Sequence, residues 1–342
     1  MFKKIAFQNI KIGSIVFIKK NWLHTPYAIN IIHIRTEDDL QKIQRYDGLL
    51  YLLSDKRSRV LDTNLALLKS VYDELHRSSI IDDKRLVKAV NNLVSMILSG
   101  SMIESDINEQ VRNSPVIFKR SVRKMLLAAS FSKHLTLNRK KATDIALAAF
   151  LIDIGLIQMP FLQEKRRLNS AERRQLQEHP TLAYEQLLNT SIPECALDVV
   201  RYHHENIDGS GYPYNLQLPD IPFGARLVRI IDTYESLTDQ RGYRRAHTPE
   251  HATKMLITLA INKKLDQRLV EKFICFTRHF PSGVLVSTAN TPADFRLVIS
   301  NKSPDQVMTW NRQNARFESL NIKDINRVKI NKYLECKNYK SS

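Results

Sequence analysis

Two adjacent histidines open the stretch His203-His204-Glu205-Asn206-Ile207-Asp208-Gly209-Ser210-Gly211-Tyr212-Pro213. Imidazole nitrogens ligate divalent metals and exchange protons near neutral pH. The pair closes an apolar segment, Ala196 to Tyr202, with helical spacing. Neighbouring helix residues point about 100° apart, so both rings serve one metal cluster only if they flank it near a helix end. A His-His pair by itself is usually a surface feature. Here it runs into Gly209 and Gly211, in a chain with only nine glycines, and glycine lets a loop pass where a Cβ would clash with a ligand.

Asp153 lies inside Ala148-Ala149-Phe150-Leu151-Ile152-Asp153-Ile154-Gly155-Leu156, and Asp232 inside Leu227-Val228-Arg229-Ile230-Ile231-Asp232. A carboxylate in an apolar helical run is costly unless it is paired, hydrogen-bonded or metal-bound. His179, in Gln177-Glu178-His179-Pro180, is a further candidate ligand. Mixed histidine and aspartate donors suit Fe, Mn or a similar divalent ion, not a thiolate zinc site. The three cysteines, Cys195, Cys275 and Cys336, are too far apart for a zinc ribbon and read as reduced thiols in a cytoplasmic protein.

These residues need elements to position them. The chain has 342 residues, 43% hydrophobic and 25% charged, which permits two domains with a sizeable core. Its low glycine content favours helices over turn-rich β architecture. Residues 1–60 alternate in short apolar runs (Ile10 and Ile12, Ile15 to Ile18, Ile29 to Ile34) punctuated by Gly13, Pro26 and Gly48, which predicts a small β-rich module. From Leu61 the period becomes helical, with Leu67, Leu68, Val71, Tyr72 and Leu75, then Leu86 to Leu98 between Asp82-Asp83 and Gly100. Asn169 with Glu172 predicts a capping box, and Thr248-Pro249-Glu250 a capped helix start. Helical signals continue to about Phe280. Strand-like text follows at Val284 to Val286 and Phe295 to Ile299, and the basic tail from about Asn301 reads as loosely held. The expected fold class is mainly α, a helical bundle with a small β-rich N-terminal domain and a short β-containing C-terminal extension. The division is 1–62, 63–114 (helical linker), 115–285 and 286–342.

The net charge of +17 attracts polyanions in general, but the excess is spread along the chain. No basic run is interleaved with regular aromatics as a single-strand groove would favour, so nucleic acid is the weakest candidate partner. The longest oily stretch, Ile145 to Leu162, carries Asp153 and Pro160 and falls short of the ~20 apolar residues a membrane span needs.

The stretch 203–213 resembles the signature of HD-GYP proteins, metal-dependent phosphodiesterases of cyclic dinucleotides. Their pattern is His-His-Glu-x-x-Asp-Gly-x-Gly-Tyr-Pro, and all eight specified positions match. Glu178-His179-Pro180, Ala225 to Asp232 and Leu237 to Arg244 follow the family too, so the resemblance covers about residues 115–285 and implies an HD-type helical bundle there. Residues 1–60, with Gly13, Trp22, Pro26 and Tyr27, resemble the small domain that often precedes it. The resemblance implies metal ligands at Asp153, His179, His203, His204 and Asp232. It implies contacts to nucleotide phosphates from Tyr212, Arg241 and Arg244.

Five positions depart from the family, one of them Gly242 where it has a proline. Ile152 stands where the namesake histidine precedes the aspartate, and Leu156 replaces a lysine expected on the substrate phosphate. Arg120, in Lys119-Arg120-Ser121-Val122, takes the place of an earlier histidine, and Val116 that of an acidic residue. Arg120 is therefore expected to set a guanidinium where a dication would sit, neutralising charge without activating water. The expected protein is a cytoplasmic bacterial member of cyclic di-GMP signalling with hydrolysis impaired or absent at Asp153. It holds one divalent ion (Fe or Mn) or none, and binds cyclic di-GMP, diguanylate cyclase (GGDEF) domains, or both. The alternatives are a working metal-dependent phosphodiesterase giving pGpG or GMP, and a basic nucleic-acid-binding protein.

Overall fold

The computed structural model describes residues 55–78, 81–100, 111, 114–163, 167–239, 246–280, 284–303, 305–311 and 316–330, with Glu37 and four short strands before residue 53. Those strands are β1 (Lys3–Lys4), β2 (Ile15–Ile18), β3 (Ile31–His33) and β4 (Leu50–Leu52), in the order β1-β4-β2-β3, all antiparallel. The chain divides into two compact units. The first is Met1–Ile157 with Tyr184–Leu197, the second Gln158–Ala183 with Asp198–Ser342.

The helices of the first unit are α1 (Asp55–Ser78), α2 (Asp83–Leu98), α3 (Val116–His134) and α4 (Arg139–Leu151). Asp82 caps α2 by accepting from the Arg85 backbone N–H, and Asn138 caps α4 by accepting from Lys141. Each satisfies an amide that the first turn leaves unpaired. The α2 sequence repeats apolar residues at three- and four-residue intervals, so Leu86, Ala89, Val90, Leu93, Val94 and Ile97 form one buried face. Each large side chain buried there contributes about 1.5–3 kcal/mol. Tyr72 of α1 meets Phe118 of α3 edge-on at 5.2 Å, and Phe118 meets Phe150 of α4 at 6.1 Å. This aromatic chain fixes the α3–α4 pair, whose facing residues include Lys124 and the approach to Asp153.

The second unit contains α5 (Ser170–Leu176), α8 (Phe223–Thr238), α9 (Pro249–Ile261) and α10 (Gln267–Thr277). The unit boundary passes within α6 (His179–Leu187) and α7 (Glu194–Tyr202). The capping box at Asn169 and Glu172 is formed, and Thr248 caps α9 ahead of Pro249. Asp266 caps α10 by accepting from Arg268 and Leu269.

A five-stranded antiparallel sheet follows, in the order β8-β7-β6-β5-β9. Its strands are β5 (Leu285–Thr288), β6 (Arg296–Ser303), β7 (Gln306–Asn311), β8 (Arg316–Asn321) and β9 (Ile325–Lys329). The tail expected to be loosely held from Asn301 thus contributes strands through β9 among its described residues; residues 304, 312–315 and 331–342 lie outside them. Two features explain the difference. Val307, Thr309 and Asn311 alternate inward along β7, and β9 is tied to α10. The Ile330 N–H donates to Glu271 Oε1 at 2.9 Å, and the Arg278 guanidinium donates to the Ile322 and Ile325 carbonyls.

Candidate metal centre and its loop

His179 begins α6, and His203 and His204 follow directly on α7. One ring nitrogen from each of the three lies within 4.8 Å of the other two. His179 and His203 are buried and His204 is half-buried. The ring of His204 sits 4.2 Å from that of His203 and 5.0 Å from that of His179.

The tautomers follow from the backbone. His179 Nδ1 is 2.6 Å from the Leu176 carbonyl, and His203 Nδ1 is 2.8 Å from the Val200 carbonyl. A carbonyl only accepts, so each Nδ1 carries a proton, and in the neutral ring each Nε2 then presents a lone pair. Those two Nε2 atoms are 3.2 Å apart. Two nitrogens bound to one ion at about 2.0–2.1 Å end up roughly 3 Å apart. Facing lone pairs repel unless a cation lies between them, and a backbone carbonyl on the far nitrogen is how metal-binding imidazoles are commonly oriented. These residues therefore fit a divalent ion. Burial first, and the neighbouring His203 second, hold the His204 imidazole well below its usual pKa, so it too is the neutral ring that a metal needs.

Asp232, buried on α8, acts on His204 through its charge but is not one of the clustered ligand atoms. Tyr212 stacks on His204, with ring centres 4.7 Å apart and planes at 22°. Arg241 and Arg244 lie outside the described residues.

The loop after the histidines is held from beneath by a buried carboxylate that the sequence reading did not single out. Glu205 is 2% exposed, and its Oε1 accepts from the Tyr214 N–H at 2.7 Å and its Oε2 from the Leu216 N–H at 3.0 Å. Gly211 presses on the same turn: a Cβ there would lie 2.3 Å from the Asn206 nitrogen and 2.5 Å from Glu205 Cα. Between them, Asn215 takes φ +58°, a left-handed conformation that asparagine tolerates better than most residues, and donates its amide to the Gly211 carbonyl at 2.5 Å. The Asn206 side chain joins the loop to α8, accepting from the Arg229 guanidinium at 3.2 Å and donating to Ser210 Oγ at 3.0 Å.

Asp153 belongs to the first unit, just beyond α4. Its Oδ2 is 2.6 Å from Lys124 Nζ on α3, and both side chains are nearly inaccessible, at 7% and 4%. Ile152, beside it, is fully buried and brings no donor. The phenol of Tyr72 is pushed up to about 12, by burial first and the Asp153 charge second. The cation that meets Asp153 is Lys124, a residue to which the sequence assigned no role. A signal for it exists: buried Met125, Ala128 and Phe131 lie one, four and seven residues after Lys124, placing it on the apolar face of α3.

The family model described as HD domain matches residues 107–269. The chain is 25% identical over 226 residues to the cyclic di-GMP phosphodiesterase PA4108 of Pseudomonas aeruginosa, covering 65% of this chain and 51% of that protein. It is 35% identical over 153 residues to the cyclic di-GMP phosphodiesterase response regulator RpfG of Xanthomonas campestris, covering 43% and 40%. Identity to the 3'3'-cGAMP-specific phosphodiesterase 1 of Vibrio cholerae is 29% over 204 residues, covering 59% and 46%. The chain spans about half the length of the curated relatives it matches. Its fold resembles that of Bd1817, an HDG"Y"P protein from Bdellovibrio bacteriovorus, with a TM-score of 0.52 and 16% identity over 79% of this chain and 96% of that one.

Proposed function

We propose that this chain, matched by the HD-domain family model over residues 107–269, is an HD-GYP protein that binds cyclic di-GMP as a receptor in which hydrolysis is impaired or absent. The observation that carries this reading is the buried Lys124–Asp153 pair. The resemblance makes this aspartate a metal ligand, and metal held there would supply the positive charge that activates water for attack on a phosphodiester. Here a metal recruiting Asp153 must first displace an ammonium that already neutralises it, inside a buried site where an unpaired charge is severely penalised. Ile152 supplies no imidazole in compensation.

The three histidines support retention of one divalent ion, Fe or Mn, which would offer positive charge to a phosphate oxygen. Around it this chain's residues orient and hold. Carbonyls of Leu176 and Val200 set the imidazole tautomers, Tyr212 covers His204, and Glu205 fixes the loop beyond. Tyr212, with Arg241 and Arg244, is assigned to the nucleotide phosphates. The loop at residues 203–213 is also the surface proposed to meet diguanylate cyclase (GGDEF) domains. Among the described residues no helix is long and apolar enough to cross a membrane, and a cytoplasmic location is part of the same proposal. So is the division at residues 62, 114 and 285.

A second reading, a working phosphodiesterase, is favoured by the histidine cluster and by the activities for which the relatives are named. Equilibrium dialysis of Mn- or Fe-loaded protein against cyclic di-GMP, with chromatography of the recovered nucleotide, separates the two. Intact nucleotide held at about one per chain supports the receptor. Linear pGpG or GMP in excess of protein establishes the enzyme and refutes the role given to Lys124.

A further inference from the structure

The last turn of α7 and the loop opposite it carry an aromatic and cationic cluster beside the histidines. Arg201 places its guanidinium 4.4 Å from the ring centre of Tyr214 and 5.4 Å from that of Tyr202. Its Nε donates to the Tyr214 hydroxyl at 2.8 Å, and the two tyrosine rings meet edge-on at 5.7 Å. Tyr214 is 42% exposed, so this is surface and not core. The cluster is continuous with the proposed metal centre along the chain. Tyr202 directly precedes His203, and Tyr214 lies two residues after Tyr212, which stacks on His204.

An exposed tyrosine is ordinarily mobile, and a ligand would have to immobilise it. Tyr214 is already restrained at both ends. Its backbone N–H is held by the buried Glu205 carboxylate, the next residue is pinned to Gly211, and its hydroxyl is held by Arg201. A platform ordered in advance loses little conformational entropy on binding. A phenol ring and a guanidinium plane are the surfaces on which nucleobases stack.

We propose that Arg201, Tyr202 and Tyr214 form a base-stacking subsite that takes a purine of the nucleotide whose phosphate reaches the histidine cluster. This rests on the reading that the protein binds a cyclic dinucleotide, and it assigns to three side chains the part of the ligand that the metal centre cannot recognise. A purine buries more of its ring on such a platform than a pyrimidine does. Cyclic di-GMP therefore binds more tightly than cyclic di-UMP, and the difference depends on Tyr214.

The test is titration of the metal-loaded full chain with cyclic di-GMP, cyclic di-UMP and a cyclic dinucleotide carrying 2-aminopurine, whose emission is quenched by stacking. Thermal unfolding of each variant verifies its fold. Tyr214→Ala and Arg201→Ala are expected to weaken cyclic di-GMP about tenfold, the scale of one base–aromatic stack, and to relieve the quenching. Tyr214→Phe, which keeps the ring, retains most of both. Leu218→Ala, also on the exposed loop, behaves as the unsubstituted protein. If the unsubstituted protein binds cyclic di-GMP and both alanine variants bind and quench equally well, the subsite is wrong while the receptor reading stands. If the unsubstituted protein binds no cyclic dinucleotide, both fall.

Discussion

Lys124 Nζ and Asp153 Oδ2 are 2.6 Å apart, with both side chains almost wholly removed from water. An ion pair of this kind contributes little net stability, because desolvating two charges offsets their attraction, but breaking it from one side is costly. Lys124→Met leaves the Asp153 carboxylate buried and unpaired and is expected to destabilise the first unit by about 3–5 kcal/mol. Combined with Asp153→Leu, the same substitution is expected to recover most of that loss. Urea unfolding of the two single variants and the double measures the coupling; additive losses would show that the two groups do not depend on one another.

Metal stoichiometry is expected to be one ion per chain, because the clustered ligand atoms come from His179, His203 and His204. Elemental analysis after Mn or Fe loading checks it. His203→Ala removes the nitrogen that faces His179 at 3.2 Å and is expected to abolish retention of the ion. A second equivalent that survives His203→Ala would contradict this account.

Gly211→Ala tests the loop. The added Cβ would meet backbone atoms of Asn206 and Glu205, which cannot swing aside like a flexible side chain. The expected cost is about 1–3 kcal/mol or more, the range for overpacking. Since the same turn carries Tyr212 over His204, metal affinity is expected to fall about tenfold or more. Denaturant midpoints and metal titration of the variant give the two numbers.

Glu205→Ala removes the acceptor for the Tyr214 and Leu216 amides. Hydrogen bonds to a charged acceptor contribute about 1.5–3 kcal/mol each. Loss of hydrogen-exchange protection at residues 214 and 216, with α8 unaffected, is the expected signature. Protection unchanged at those two amides would rule out the brace.

Tyr72 gives a pH dependence at the alkaline end. Its phenol ionises at about 12 in the folded protein and near 10 when unfolded. Between those values the folded state binds more protons, so stability falls as pH rises. This contribution is complete below pH 10 and is lost as pH rises towards 12. Unfolding midpoints at pH 9 and 11 are expected to differ more for the unsubstituted protein than for Tyr72→Phe, where the ionising group is gone.

Much of this molecule follows from its local text. The capping box at Asn169 and Glu172, the caps at Asp82 and Thr248, and the apolar face of α2 depend on residues three to four apart, distances over which spacing alone decides who meets whom. The histidine pair and its glycine loop were legible for the same reason. The contacts that chain spacing could not supply are the long-range ones. Which basic side chain meets Asp153 depends on how α3 rotates against α4. Arg120 and Lys124 are one turn apart on the same helix, and only packing selects the lysine, 29 residues away in sequence. The C-terminal strands are polar and basic in their text, yet β9 becomes ordered through Glu271 and Arg278 of the preceding helical segment. Glu205 is legible as a signature position, but its role is decided only when the chain turns back and lays two amides on its carboxylate. Sequence thus determined the helices, the loop and the residue types able to hold a metal and a phosphate. Tertiary structure decided which charges are neutralised and which lone pairs face one another, because those depend on elements that meet only when the chain has folded.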